Sequence, residues 1–189
     1  MDLSLNNIIE PSKGKALLGE PFMDDAYFGR SVVLLCEHNS EGSFGFVLNN
    51  YSGIDLRSVL PEFPEVSTRI SVGGPVKTNN LYYMHNNGAI DGCEEVVPGI
   101  FLGGDFESLK QQMELGVMSP DSVRFFAGYS GWSPLQLEQE IERKSWLVTP
   151  IKPGDILNTS SDNLWETLMA RMGGKYKAMA HFPKDPGLN

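Results

Sequence analysis

Residues 28–50 read FGRSVVLLCEHNSEGSFGFVLNN, and the order of apolar and polar residues in this stretch decides the fold. Val32, Val33, Leu34 and Leu35 form an unbroken apolar run of strand length. A run without alternation belongs to a strand covered on both faces, so it predicts a position in the middle of a core. Cys36, Glu37 and His38 then turn the chain polar, and Asn39-Ser40-Glu41-Gly42-Ser43 is a cluster of turn-forming residues. Phe44-Gly45-Phe46-Val47-Leu48 predicts a second strand, closed by Asn49 and Asn50. Together the two strands read as a hairpin with a polar tip.

Upstream, Lys15–Gly19 predicts a short first strand, Glu20–Met23 an extended connector, and Asp24–Phe28 one helical turn capped by aspartate. Downstream, Asp55–Leu60 predicts a short helix stopped by Pro61. Residues 64–68 read as loop. Arg69–Val72 reads as a strand that breaks at Gly73-Gly74-Pro75, and Leu81–His85 has the aromatic bias of a strand. Asn86-Asn87-Gly88 predicts a hairpin turn into the next segment. Glu94–Val97 and Ile100–Leu102 are short strands around Pro98-Gly99.

Asp105 is placed to cap a helix from Phe106 to about Leu115, with Gly116 as its stop. Val123–Tyr129 is a further apolar strand. Ser133, Pro134 and Gln136 form a capping-box pattern with proline in the first helical position. The helix that follows carries Leu137 and Ile141 on one face and a Glu140–Lys144 pair. Trp146–Val148 returns as a strand, and a last helix from Asp162 presents Leu164, Trp165, Leu168, Met169 and Met172 before Gly173-Gly174. Residues 178–189 read as an extended tail and residues 1–14 as a polar lead-in. Strands separated by helices make this a mixed α/β or α+β domain.

A chain of 189 residues with 41% hydrophobic content is most simply one domain with a core of its own. No apolar run reaches the roughly 20 residues of a membrane helix, so no membrane association is expected. The start, MDLSLNNIIEPSKGK, has the wrong order and composition for a secretory signal, and a cytoplasmic location is expected. Cys36 and Cys93 form no CxxC pair and are expected as reduced thiols. The net charge of −9 opposes contact with phosphate backbones, so direct nucleic-acid binding is not expected. Residues 162–189 carry a balance of +1 and residues 1–161 a balance of −10, which leaves the C-terminal end only a weak attraction to anions.

Among candidate chemical groups, Cys36 and His38 have the residue types of a nucleophile and its base. On a regular strand, positions two apart lie roughly 6.6 Å from each other, whereas a dyad needs hydrogen-bond reach. The plainer reading is a buried thiol beside a histidine that closes the strand. Glu37 and His38 form a polar tip where a core strand leaves the core, a place where rigid scaffolds mount functional groups; a strand-end contact of Glu37 with Arg30 is the structural alternative. Gly128-Tyr129-Ser130-Gly131-Trp132 puts two aromatics ahead of a helix, placed to stack a planar ligand or a partner side chain, or simply to plug a gap. Of three Gly-Gly pairs, only Gly73-Gly74 merits comparison with a phosphate loop, and it lacks the GxxxxGK[ST] spacing. His38, His85 and His181 belong to no metal-ligand pattern; no metal and no cofactor are expected. The candidate patch is therefore Arg30, Glu37, His38, Gly73, Gly74, Tyr129, Gly131 and Trp132.

Taken together, DDAYFGRSVVLLCEHNSEGSFGFVLN, VGGPV, the strand ending at His85, FLGGD, FFAGYSGWSPLQLEQEI with Trp146, the helix from Trp165 to Gly173, and FPKDPGLN resemble the AlgH/YqgE family of bacterial proteins. The resemblance spans from about residue 15 to the C-terminus. It departs at Leu135, where the family's Gly-Gln-Leu-Glu usually has glycine. It implies one domain, with a bifurcated, partly barrel-like β-sheet flanked by helices. It implies little about activity: some members carry the label of transcriptional regulator and most are called uncharacterised. The leading expectation is a non-enzymatic regulatory or binding protein with an unknown protein or small-molecule partner. The alternatives are a small hydrolase or transferase using Cys36 and His38, and a direct DNA-binding regulator.

Overall fold

Central to the architecture is the hairpin at residues 32–47. A computed structural model describes residues 9–182 apart from Asp24 and Ala26. In chain order the elements are β1 (Lys15–Gly19), β2 (Val32–Asn39), β3 (Gly42–Val47), α1 (Leu56–Val59), β4 (Ser71–Val72), β5 (Val76–His85), β6 (Glu94–Val97) and β7 (Ile100–Leu102). There follow α2 (Phe106–Glu114), β8 (Val123–Trp132), α3 (Gln136–Glu142), β9 (Trp146–Pro150), α4 (Pro153–Leu157), α5 (Leu164–Met172) and α6 (Gly174–Met179). The sheet runs in the order β6-β7-β5-β8-β3-β2-β1-β9, with β4 added parallel to β8. The order has two ends, so the sheet is not closed into a barrel.

β8 is where the sheet forks. Val123–Ala127 pairs with β5 on one side and, at Phe126 and Ala127, with β4 on the other; Ser130–Trp132 pairs with β3. The remaining space is filled by three packed clusters. Leu34, Cys36 and Phe46 face α4, α5 and α6 through Ile156, Trp165 and Met179. Val33, Leu35 and Val47 face α3 through Leu137. Phe125 and Val123 face α1 and α2 through Leu56, Leu109 and Met113. Val32, Val33, Leu34 and Leu35 are all fully buried, which is why their stretch of sequence shows no alternation. Each such side chain contributes about 1.5–3 kcal/mol by leaving water.

The hairpin closes through two residues, since Asn39 pairs with Gly42. Gly42 has φ of +131°, and a Cβ there would lie 2.4 Å from the Trp132 carbonyl oxygen, so two independent demands place glycine at that corner. Between Leu35 and Glu37 the register shifts: Leu35 pairs with Gly45, and Glu37 pairs with the next residue back, Phe44. Cys36 is therefore the extra residue of a β-bulge.

Several local expectations are corrected. The capping box of α3 forms by half: the Gln136 side chain accepts the Ser133 N–H (3.0 Å), but the residue preceding the helix is Leu135 with φ of +63° and no side-chain cap. Lys144 lies beyond the helix at φ of +66°, and Glu140 is engaged elsewhere. Asn86-Asn87-Gly88 does not lead β5 into a hairpin with β6, because β5 pairs with β7 and β6 reaches the sheet only through β7. Helix α4 adds an element beyond those read from the sequence, and its start signals are Pro153 in the first turn and Asp155, whose carboxylate accepts the Lys152 N–H (3.1 Å). Gly173-Gly174 ends α5 but opens α6, so residues 178 and 179 are helical instead of extended, and residues 183–189 lie outside the described residues. The predicted cap Asp24 also lies outside them; Asp25 accepts the N–H of Tyr27 (2.8 Å) and Phe28 (3.2 Å).

Candidate functional site

On an unbroken strand Glu37 would follow Val33 and Leu35 toward α3, while His38 would follow Leu34 and Cys36. The bulge at Cys36 exchanges them, because one extra residue moves every later side chain to the opposite face. Glu37 lies beside Phe44 and Gly131 in the register, on the face of Tyr129 and Tyr82. His38 lies beside Ser43 and Trp132, toward α3. Its Nδ1 meets Ser43 Oγ at 2.7 Å, and its Nε2 stands 3.8 Å from Glu138 Oε1.

Cys36 and His38 thus occupy opposite faces. The thiol is 2% exposed and packs among apolar side chains. Burial pushes it far above the ordinary thiol range, opposed only weakly by Lys13. An activated nucleophile needs the reverse shift.

Glu37 opens onto a cleft of about 730 Å³ at the tip of the hairpin. Its floor is aromatic: ring centroids are 6.2 Å apart for Phe44–Tyr129, 5.9 Å for Tyr82–Tyr129, 5.4 Å for Phe46–Tyr82 and 6.2 Å for Phe44–Phe46. Phe46 is buried beneath, whereas Phe44, Tyr82 and Tyr129 are half-buried and present ring surface. Among the described residues two charged side chains line the cleft, Glu37 and Glu41, both exposed. The tip is braced from within, since Asn39 donates to Glu37 Oε1 (2.6 Å) and accepts the Glu41 N–H (2.8 Å).

Of the residues singled out from sequence, Glu37, Tyr129, Gly131 and Trp132 border this cleft. Trp132 does so from its edge: the indole is buried on the α3 side and donates to Glu140 Oε2 (2.9 Å), which also accepts from Trp146 Nε1 (2.8 Å). Gly73 and Gly74 lie under β8, where the Gly73 N–H is committed to the Ala127 carbonyl (2.8 Å). A Cβ on Gly74 would stand 2.0 Å from the Tyr129 carbonyl, so close backbone crossing accounts for glycine there. Arg30 stands at the other end of β2, about 23 Å away by strand rise, where Nη2 donates to the Phe182 carbonyl (2.8 Å) and the guanidinium lies 5.0 Å from the Trp165 ring.

Sequence reasoning missed Phe44, Phe46, Tyr82 and Glu41. Alternation in Phe44-Gly45-Phe46 could have placed two rings on one face; Tyr82 joins them only through the β5–β8 register. Among the described residues no group of three or more histidine, cysteine or acidic side chains is placed to hold a metal ion. No helix among them is long and apolar enough to cross a membrane.

Comparison with known proteins agrees with this architecture. The model of a family described as AlgH-like matches residues 16–177. A UPF0301 protein of Cytophaga hutchinsonii is 39% identical over 180 residues, covering 94% of this chain and 99% of that protein. One from Bacteroides thetaiotaomicron is 37% identical over 185 residues, covering 97% and 94%. The crystal structure of DIP2367 from Corynebacterium diphtheriae superposes with a TM-score of 0.79 at 27% identity, over 94% of this chain and 95% of that one. The solution structure of the AlgH protein from Pseudomonas aeruginosa gives 0.71 at 26% identity, over 93% and 98%.

Proposed function

We propose that this chain, which belongs to the AlgH-like family, is a non-enzymatic binding protein that exerts a regulatory effect by holding a partner in the cleft at the hairpin tip. The observation that carries this reading is half-exposed aromatic surface on a rigid frame. Phe44, Tyr82 and Tyr129 offer ring faces in an open cleft, above Phe46 and Phe126, which are fixed in the core at a centroid separation of 4.9 Å. Aromatic side chains in such a setting supply large contact area at small entropic cost. The position of Cys36 supports the non-enzymatic part, because its buried thiol has no thiolate character to offer. A direct DNA contact is disfavoured by the net charge of −9 and by the acids that edge the cleft.

The test is cross-linking in cells followed by reconstitution with the purified partner, comparing the native chain, Tyr129→Ala and an α2 surface variant, Glu107→Gln. A partner lost with Tyr129→Ala and kept with Glu107→Gln is the expected result. Equal recovery with both variants would remove the cleft from the function. Sequence-selective DNA binding at physiological salt would overturn the indirect mode of regulation.

A further inference from the structure

We infer that the occupant of the cleft is an extended, basic segment of a partner protein, anchored by an arginine or lysine side chain on the Tyr129–Phe44 floor. This rests on the cleft being the binding surface, as proposed above, and specifies what it selects. Among the described residues the lining holds two carboxylates, Glu37 and Glu41, and no cationic side chain. Two exposed carboxylates beside aromatic faces are an arrangement that attracts a cation twice, through charge and through the ring quadrupole. The Glu37 carboxylate is pre-positioned by Asn39 (2.6 Å), so less order has to be imposed on binding.

The shape narrows the class further. Tyr129 packs edge-on against Phe44 and Tyr82, with interplanar angles of 79° and 85°. The rings therefore form a continuous wall and do not converge into a box around one small ion. A wall beside a hairpin tip fits a side chain delivered by a longer chain, whose neighbouring apolar residues cover the rest of the rings. The chain's overall charge of −9 attracts such a segment and repels nucleic acid from the same surface.

The experiment uses the full chain and a fluorescein-labelled octapeptide alternating arginine and leucine, read by anisotropy. Parallel peptides replace arginine with citrulline, which keeps shape and removes charge, or with glutamate. Binding of the arginine peptide at least tenfold tighter than citrulline, with none of the glutamate peptide, is expected. Glu37→Gln combined with Glu41→Gln is expected to weaken it about tenfold. Glu107→Gln with Glu114→Gln, the same charge change on α2, leaves it within twofold. Tyr129→Phe retains binding and Tyr129→Leu loses it, with matched thermal midpoints showing that both variants fold. Equal binding of arginine and citrulline peptides, equal weakening by the α2 pair, or no binding of the arginine peptide overturns the inference. A partner still lost with Tyr129→Ala in the cellular test would then leave the cleft as the binding surface and discard only its preference for cations; binding of arginine amide alone as tightly as the octapeptide would replace the segment by a small cation.

Discussion

Leu135 holds a left-handed backbone, φ of +63°, with its side chain 65% exposed. Nothing is gained from packing, and an L-residue bears a cost of about 1 kcal/mol in that region. The conformation by itself favours glycine at this position. Leu135→Gly is expected to raise stability by about 1 kcal/mol in urea unfolding; a loss would show that the leucine has a contact that matters. His85 is buried, with Nε2 donating to the Gly103 carbonyl (2.8 Å) and Nδ1 accepting the Asn87 N–H (3.3 Å). That pair of bonds requires the neutral ring, and burial holds its pKa below the usual histidine range. The unfolded chain therefore takes up the proton first. Stability is full above the unfolded value of about 6.5 and falls as pH drops from there toward the lower folded value. In native chain against His85→Gln, the slope of stability with pH between 6.5 and 5 is expected to flatten by up to about 1.4 kcal/mol per unit.

Two elements work as devices beyond their secondary structure. The bulge at Cys36 aims Glu37 into the cleft and His38 toward Ser43 and α3, so one extra residue settles which of the two polar groups faces a ligand. Helix α3 contributes Glu140, whose carboxylate joins the indoles of Trp132 on β8 and Trp146 on β9. The two rings stand 5.9 Å apart at 80°, and the carboxylate is the acceptor for both N–H groups. Glu140→Ala leaves two indole donors without this partner. Its expected cost is about 2–3 kcal/mol, seen in urea unfolding together with a shift in tryptophan emission, and Glu140→Gln is expected to lose less. Unchanged emission in Glu140→Ala would mean the indoles find other acceptors.

At the scale of the whole molecule, Arg124 on β8 ties the fork of the sheet to the helical layer. It is fully buried, donating to the carbonyls of Leu48 after β3 and Ile156 in α4, and to Ser71 Oγ on β4 (2.7 Å). Burial pulls its pKa down to about 10, so it remains cationic at neutral pH. No carboxylate pairs with it among the described residues; carbonyl dipoles and the Phe126 ring, 5.1 Å away, hold the charge. Arg124→Met is expected to cost about 3 kcal/mol by removing the charged donor shared by two buried carbonyls, of which that of Leu48 keeps a long bond from Ser71 Oγ (3.4 Å). Arg124→Lys is expected to recover part of that, since one ammonium cannot span the same fork of acceptors. A midpoint for Arg124→Met within error of the native chain would refute this role.

The unbroken run Val32–Leu35 and the turn residues after it were enough to locate the central hairpin, because burial on both faces removes alternation whatever the partner strands are. Asp105 likewise declared its helix start, and its carboxylate does accept the Ser108 N–H (2.6 Å). The acidic charge and the family resemblance were also legible residue by residue. Face assignment was not: a period of two carries no mark of the place where one residue is skipped, so Glu37 and His38 could not be told apart. The β3–β8 and β5–β8 registers decided which rings meet at the cleft, joining Phe44, Tyr82 and Tyr129 across residues far apart in sequence. Register is set by hydrogen bonds and packing between distant strands, and that information exists only once the chain has folded back on itself.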